Sequence, residues 1–419
     1  MAGLLIREAF SFWTGHPFDF EIWVRAGYWV AHGHSPYAAM PFAPGVSFAN
    51  DFGGPNSGLA AAVGYLPFWP ALVGGLYELY SLLGAPTPFL YYFLIKQPII
   101  ICDVLTAYYL YRYAERRGSD KASFVLKFWL FSPLMIIISS IWGMFDAIAV
   151  LFVVLALSAR PGAYRGIWAG IATFAKSVPL IYIIPLARGP KPLRNLAIAL
   201  AIPVGGSALI VWLAGWSILG QGGVGTTLQS TLSTARGSLS LWAIPYYLNS
   251  NSMISTSAAA YLSEPAGYVW MIAVPAATIL AYKWFGFNTE RGLVQSILLI
   301  TLTFLLLRGQ VNEQYSLYLL APALIDVAMW SPQRRNLVVA SMATVLAFHL
   351  TNVVLLIRYA TPAFHNALSV EASIIAKINP ERNALLFLEA VLFCVLNIYY
   401  FYALSKERGL RTEDSVLAA

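Results

Sequence analysis

Charge is scarce in this chain. Of its 419 residues only 11% are Asp, Glu, Lys or Arg, against 59% that are hydrophobic. Such a chain cannot hide its apolar surface inside a water-soluble globule, so lipid has to solvate most of it. Cysteine is scarcer still. Cys102 and Cys394 each sit inside an apolar run without paired spacing, which argues against a disulfide framework or a thiolate metal site. Also missing are a Walker-type phosphate loop, a Gly-rich dinucleotide turn after a strand, His-Glu-x-x-His and Gly-x-Ser-x-Gly. No repeat of 20–50 residues is visible, nor any low-complexity linker. No stretch is long enough for a soluble nucleotide-binding domain, so the membrane itself would have to hold a donor substrate.

What is abundant is apolar runs of membrane length. Segments 88–112, 122–141, 144–158, 195–216, 265–286, 292–307, 315–330, 336–357 and 384–404 are expected to be spans. Residues 3–14 form a short first span or anchor, because their flanks lack the charge and cleavage site of a removable leader. The net charge of +7 sits in clusters between runs, at Arg112, Arg116, Arg117 and Lys121, at Arg160 and Arg165, at Arg188, Lys191 and Arg194, at Lys283 and Arg291, and at Arg334 and Arg335. Clusters of that kind mark a cytoplasmic side and not a nucleic-acid surface. Both flanks of 164–187 are then cytoplasmic, which requires a bent pair of short helices broken at Lys176-Ser177-Val178-Pro179. With 15–87, 217–264, 308–314 and 358–383 outside, the chain makes about twelve crossings. The segment 59–83, interrupted by Pro67, Pro70, Gly74 and Gly75, reads as a surface or re-entrant helix pair, with a full span as the alternative.

Polar residues that the membrane makes costly are the candidates for chemistry. The first outer loop carries Asp19 and Glu21 one residue apart, and then His34 and Tyr37. Spacing alone does not say which acid acts, and Asp19 is also suited to cap a helix. Asp146, after Trp142, suits either a cap or a substrate contact. Lys176 at membrane depth needs an anion, which a lipid-linked phosphate would supply, or else must snorkel to the interface. Arg308 offers a planar fork for phosphate, with Gln314 and Tyr315 nearby for hydroxyl recognition, although a short polar loop is also ordinary at a membrane surface. Lys96 and Asp103 share one span about two turns apart, too far to assure a pair.

Three stretches carry a resemblance. They are Asp19-Phe20-Glu21 with Gly33-His34-Ser35-Pro36-Tyr37; Cys102-Asp103-Val104-Leu105-Thr106-Ala107 leading to Leu110-Tyr111-Arg112; and Pro133 through Trp142-Gly143-Met144-Phe145-Asp146 to Ala175-Lys176-Ser177-Val178-Pro179 and Pro185. Over roughly residues 10–190 the chain resembles the type C glycosyltransferases that use polyprenyl-phosphate sugars. It is most similar to the family of the glycosylphosphatidylinositol mannosyltransferase I catalytic subunit and its archaeal relatives. The C-terminal half matches mainly at Gln314-Tyr315 ahead of Pro322, and Glu21 stands where the family usually has aspartate.

The resemblance implies one all-α domain over 1–419. A catalytic module 1–190 carries the outer loop 15–87, variable helices fill 191–405, and 406–419 is a solvated cytoplasmic tail. It further implies an inverting transfer of a hexose, mannose in the family, from a polyprenyl phosphate to a glycan or glycolipid acceptor at the non-cytoplasmic face. That face belongs to the cell membrane, or to the endoplasmic reticulum if the source is eukaryotic. Asp19, with Glu21 as the alternative, is then the base. Lys176 and Arg308 bind the donor phosphate, and Asp146, Trp142, Gln314, Tyr315, His34 and Tyr37 contact substrate. The cofactor is left open, a divalent cation being compatible with the acids but not required by them. A transporter or lipid-linked sugar flippase, which also uses many helices and intramembrane ions, is the alternative.

Overall fold

The computed structural model describes residues 1–49, 59–60, 63–217 and 238–408. The protein is mostly helical, and strand pairing among these residues is confined to Met40 with Ala60 and Pro41 with Leu59. Among the described residues four helices are long and apolar enough to cross a bilayer: Pro88–Glu115, Pro192–Ala214, Glu290–Leu307 and Ala367–Ser405. Two bent pairs raise this to six, Ala122–Phe131 with Pro133–Trp142 at 49° and Pro332–Asn352 with Val354–Ala360 at 64°. Pro133 explains the first bend, since it has no N–H to continue the helix before it. Shorter apolar helices, Asp146–Ser158, Val178–Ala187 and Val269–Trp284, lie among them.

The basic clusters gather at one end of the bundle. Arg117 pairs with Glu290 at 2.5 Å, Arg334 with Asp326 at 2.8 Å and with Glu407 at 2.6 Å, and Arg291 with Glu407 at 3.2 Å. Helices that leave this end, Ala163–Ala175 and Glu290–Leu307, deliver Lys176 and Arg308 at the other. Helices that return to it, Asp146–Ser158 and Ser316–Met329, start beside Trp142 and Tyr315. As the basic flanks of 164–187 demand, the chain turns back at an extended Lys176 (φ −154°, ψ 142°) between the Ala163–Ala175 and Ile183–Ala187 helices.

The helices that flank this turn are short. Asp146–Ser158 and Ala163–Ala175 have 13 residues each. Such a helix covers about 20 Å, against about 30 Å of hydrocarbon. Asp146 and Lys176 thus lie at the ends of helices shorter than the Pro88–Glu115 and Pro192–Ala214 helices packed against them.

One expectation needs correction, and the structure adds detail to three others. Among the described residues of 59–83 there is one helix, Phe68–Leu82, because Pro67 caps it and Pro70 lies in its first turn, where no hydrogen bond is lost. It packs closely on Asp19–Ala31: a Cβ on Gly27 would lie 2.6 Å from the Val73 carbonyl, and one on Gly74 2.3 Å from Val30. Residues 367–383, expected to lie outside ahead of a span at 384–404, are the first half of the Ala367–Ser405 helix, whose Ala, Glu and Ile residues carry it through Pro380. The Ala2–Ser11 helix has 10 residues and reaches only about halfway through a bilayer. The tail is tied down at its start, where Glu407 accepts from Arg291, Gln295 and Arg334, and from 409 onward it lies outside the described residues.

Candidate functional site

Asp19 is the first residue of the Asp19–Ala31 helix and does not cap it. His16 does that work, since its Nδ1 accepts the backbone N–H groups of Phe18 at 3.2 Å and Asp19 at 3.1 Å. The Asp19 carboxylate is thereby released for another role. Its Oδ2 accepts the indole N–H of Trp142 at 2.9 Å and stands 3.5 Å from the His16 ring. Burial pushes Asp19 up to about 6, against the pull of the Trp142 hydrogen bond and of Lys176. Glu313 and Asp146 also lie within electrostatic reach, and both push the same way as burial.

The approach of Trp142 to Asp19 is local chemistry. The π-helical turn Ile137–Trp142 ends in Gly143 at φ +85°, a left-handed conformation that glycine tolerates. A Cβ there would also lie 2.6 Å from the Phe20 ring. The chain can reverse at this point and aim the indole back at the outer loop.

Lys176 and Asp146 form a fully buried ion pair, Nζ to Oδ2 at 2.5 Å. Lys176 therefore does not snorkel. Its anion within the protein is Asp146, which is likewise not a cap. The ammonium lies 5.0, 4.7 and 5.5 Å from the ring centres of Tyr65, Phe145 and Tyr315. Arg308 faces the Tyr315 ring as well, at 4.6 Å, so the two cations proposed for phosphate meet at one aromatic side chain. Arg308 Nη1 and Gln314 Oε1 are buried without a hydrogen-bond partner among the described residues.

Glu21 points elsewhere. Its oxygens accept from Arg25 Nε at 2.7 Å and from the Phe48 backbone at 3.0 Å, while Arg25 also donates to the Met40 and Ala49 carbonyls. This buried pair ties the helix to the loop 40–49 and turns the two acids of the motif in different directions. His34 is exposed and packs edge-on to Trp29, away from the cluster. Tyr37 is buried against Trp216, and its hydroxyl donates to the carbonyl of Tyr65, so it touches the site only through that residue's backbone. Lys96 and Asp103 do not pair: Lys96 donates to Thr14, whereas Asp103 accepts from Arg7, Trp129 and Ser139 and ties its own helix to three others.

Several members of the cluster carried no usable signal in the sequence. His16, Tyr65, Glu313, His349 and Tyr359 converge here from separate segments. A lone histidine in an apolar helix reads as packing, and Glu313 is hidden among amides in the Arg308–Tyr315 loop. Among the described residues no group of three or more His, Cys, Asp or Glu is placed to hold a metal ion. Comparison with known protein families and with curated proteins finds no match.

Proposed function

We propose that the protein is an inverting glycosyltransferase of the type C architecture, with about twelve crossings once its short apolar helices and broken pair are counted. It moves a hexose, mannose by resemblance, from a polyprenyl phosphate to a glycan or glycolipid acceptor on the non-cytoplasmic side. The observation that carries this reading is a buried carboxylate at the end of the bundle opposite the basic clusters, with Lys176 in reach and Arg308 beside the same tyrosine.

Chemically, the acceptor oxygen attacks the anomeric carbon as its proton passes to Asp19, and the bond from that carbon to the phosphate oxygen breaks. A base near 6 suits this task at neutral pH, where it is ionised yet basic enough to take a proton. The departing polyprenyl phosphate is a weak base, so it needs positive charge more than a general acid. Asp146 holds the Lys176 ammonium in place and leaves its other N–H donors for the phosphate. Arg308, with Nη1 free among the described residues, brings the uncompensated charge and a planar fork. Gln314 offers an open carbonyl for a sugar hydroxyl. Attack from the side opposite the leaving phosphate inverts the anomeric centre.

The test is to incubate purified protein in detergent with radiolabelled polyprenyl-phosphate hexoses and a panel of sugar acceptors. Labelled product that requires Asp19 supports the reading. A transporter or flippase would form none, and would instead move lipid-linked sugar across proteoliposomes.

A further inference from the structure

Behind the Trp142 indole lies a buried assembly that the proposed chemistry does not use. His349, on the Arg335–Asn352 helix, stacks on the indole with ring centres 5.2 Å apart and planes at 24°. Both of its nitrogens are engaged: Nδ1 meets Glu313 Oε1 at 3.1 Å, and Nε2 meets the Tyr359 hydroxyl at 3.0 Å. A carboxylate only accepts, so Nδ1 carries the proton, and in the neutral ring Nε2 accepts from the tyrosine. Two hydrogen bonds from different segments thus fix the plane on which Trp142 rests. Tyr359 acts on the other side too, because its carbonyl accepts the Gly15 N–H at 2.8 Å, just ahead of Asp19.

We infer that Glu313, His349 and Tyr359 are positioning residues that aim the Trp142 N–H at Asp19 and so set the basicity of that carboxylate. The inference rests on the reading of Asp19 as the base, but the geometry it describes can be tested without substrate. The indole bond stabilises the ionised form of Asp19 against burial. A loosened indole would therefore leave Asp19 protonated to higher pH. The other groups around the carboxylate are His16 from its own turn, Asp146 and Lys176 from the buried ion pair, and Tyr65, with Arg358 behind His16.

The experiment is nuclear magnetic resonance of the protein labelled with 15N-tryptophan in detergent micelles, with the Trp142 indole signal assigned by its loss in Trp142→Phe. In the wild type this signal should follow a titration with a midpoint about 6. In His349→Gln, and to a smaller extent in Tyr359→Phe, it should move toward the position of a free indole, and the Asp19 midpoint should rise. Transfer should fall by roughly tenfold or more, as when an orienting partner is lost, with the acidic limb of the pH profile displaced upward. The double variant His349→Gln/Trp142→Phe should be no slower than Trp142→Phe alone. Tyr359→Phe removes one hydroxyl and keeps the test open should His349→Gln fail to fold. An indole signal that titrates as in the wild type in the folded variants overturns the inference. A wild-type protein that has the linked titration but transfers no sugar overturns the proposed function and leaves the positioning assembly standing.

Discussion

Replacing Lys176 by methionine removes the cation but strands Asp146, a carboxylate with no exposed surface whose ion pair measures 2.5 Å. Breaking a buried pair by removing one partner costs about 3–5 kcal/mol, whereas replacing both partners with apolar residues of similar volume is often neutral or stabilising. Lys176→Met should therefore unfold at a clearly lower temperature in detergent, and Lys176→Met/Asp146→Leu should recover most or all of the loss. Activity should behave differently. If the ammonium stabilises charge on the departing phosphate, its loss costs on the order of 3 kcal/mol in the transition state, about a hundredfold in rate. The double variant should then be stable and slow, and Lys176→Arg should recover only part of the rate because a planar fork places its charge elsewhere. The assay is single-turnover transfer with saturating donor, set beside thermal midpoints of the same preparations. A stable double variant that turns over at the wild-type rate would refute the reasoning and leave the pair with a purely structural role.

Asp19→Asn should reduce turnover by a factor of roughly 100 or more while leaving the thermal midpoint nearly unchanged, since the amide keeps the shape but cannot take a proton. Because burial raises Asp19 to about 6 and the base must be deprotonated, kcat/KM should fall about tenfold per pH unit below 6 and level off above it. Glu21→Ala removes the carboxylate that pairs with the buried Arg25 and should cost about 3–5 kcal/mol, read as a lower melting temperature and faster proteolysis within 40–49. Transfer per folded molecule should suffer less there than in Asp19→Asn. In single-cysteine variants, an impermeant thiol reagent should reach Ser177→Cys from the non-cytoplasmic side and Arg116→Cys from the cytoplasmic side only; the reverse at position 177 would remove the broken-helix topology and the phosphate site with it.

What the sequence reveals about this protein follows from which of its signals are local. Apolar runs and basic flanks are local, so the helix inventory and the turn at Lys176 are legible, the latter because only a break reconciles two cytoplasmic flanks with 164–187. Proline is less reliable. Pro133 breaks a helix, Pro67 and Pro70 begin one, and Pro380 lies inside one, according to whether a hydrogen bond is lost and whether neighbouring residues compensate. Asp19, Asp146 and Lys176 could be singled out because charge at or beside a membrane span needs a reason, and Trp142 through the resemblance. The pairing of Asp146 with Lys176 could not, since it joins residues 30 apart whose meeting depends on where two helices end. Glu21 illustrates the opposite failure: the acid-x-acid spacing suggests a joint role, but a helix turns the two side chains apart, and Arg25 one turn later captures the second. His349 and Glu313 lie 36 residues apart in sequence, and only the packing of the Arg335–Asn352 helix against the 308–315 loop brings them together.

The central claim is that Asp19 takes a proton while a lipid-linked phosphate leaves. It is tested most directly with purified protein, a β-linked polyprenyl-phosphate mannose labelled in the sugar, and a set of mannose- and glucosamine-containing acceptors. The account predicts transfer to at least one acceptor, an α linkage in the product, and loss of that product in equally stable Asp19→Asn. Product with retained β linkage, or undiminished product from Asp19→Asn, would contradict it.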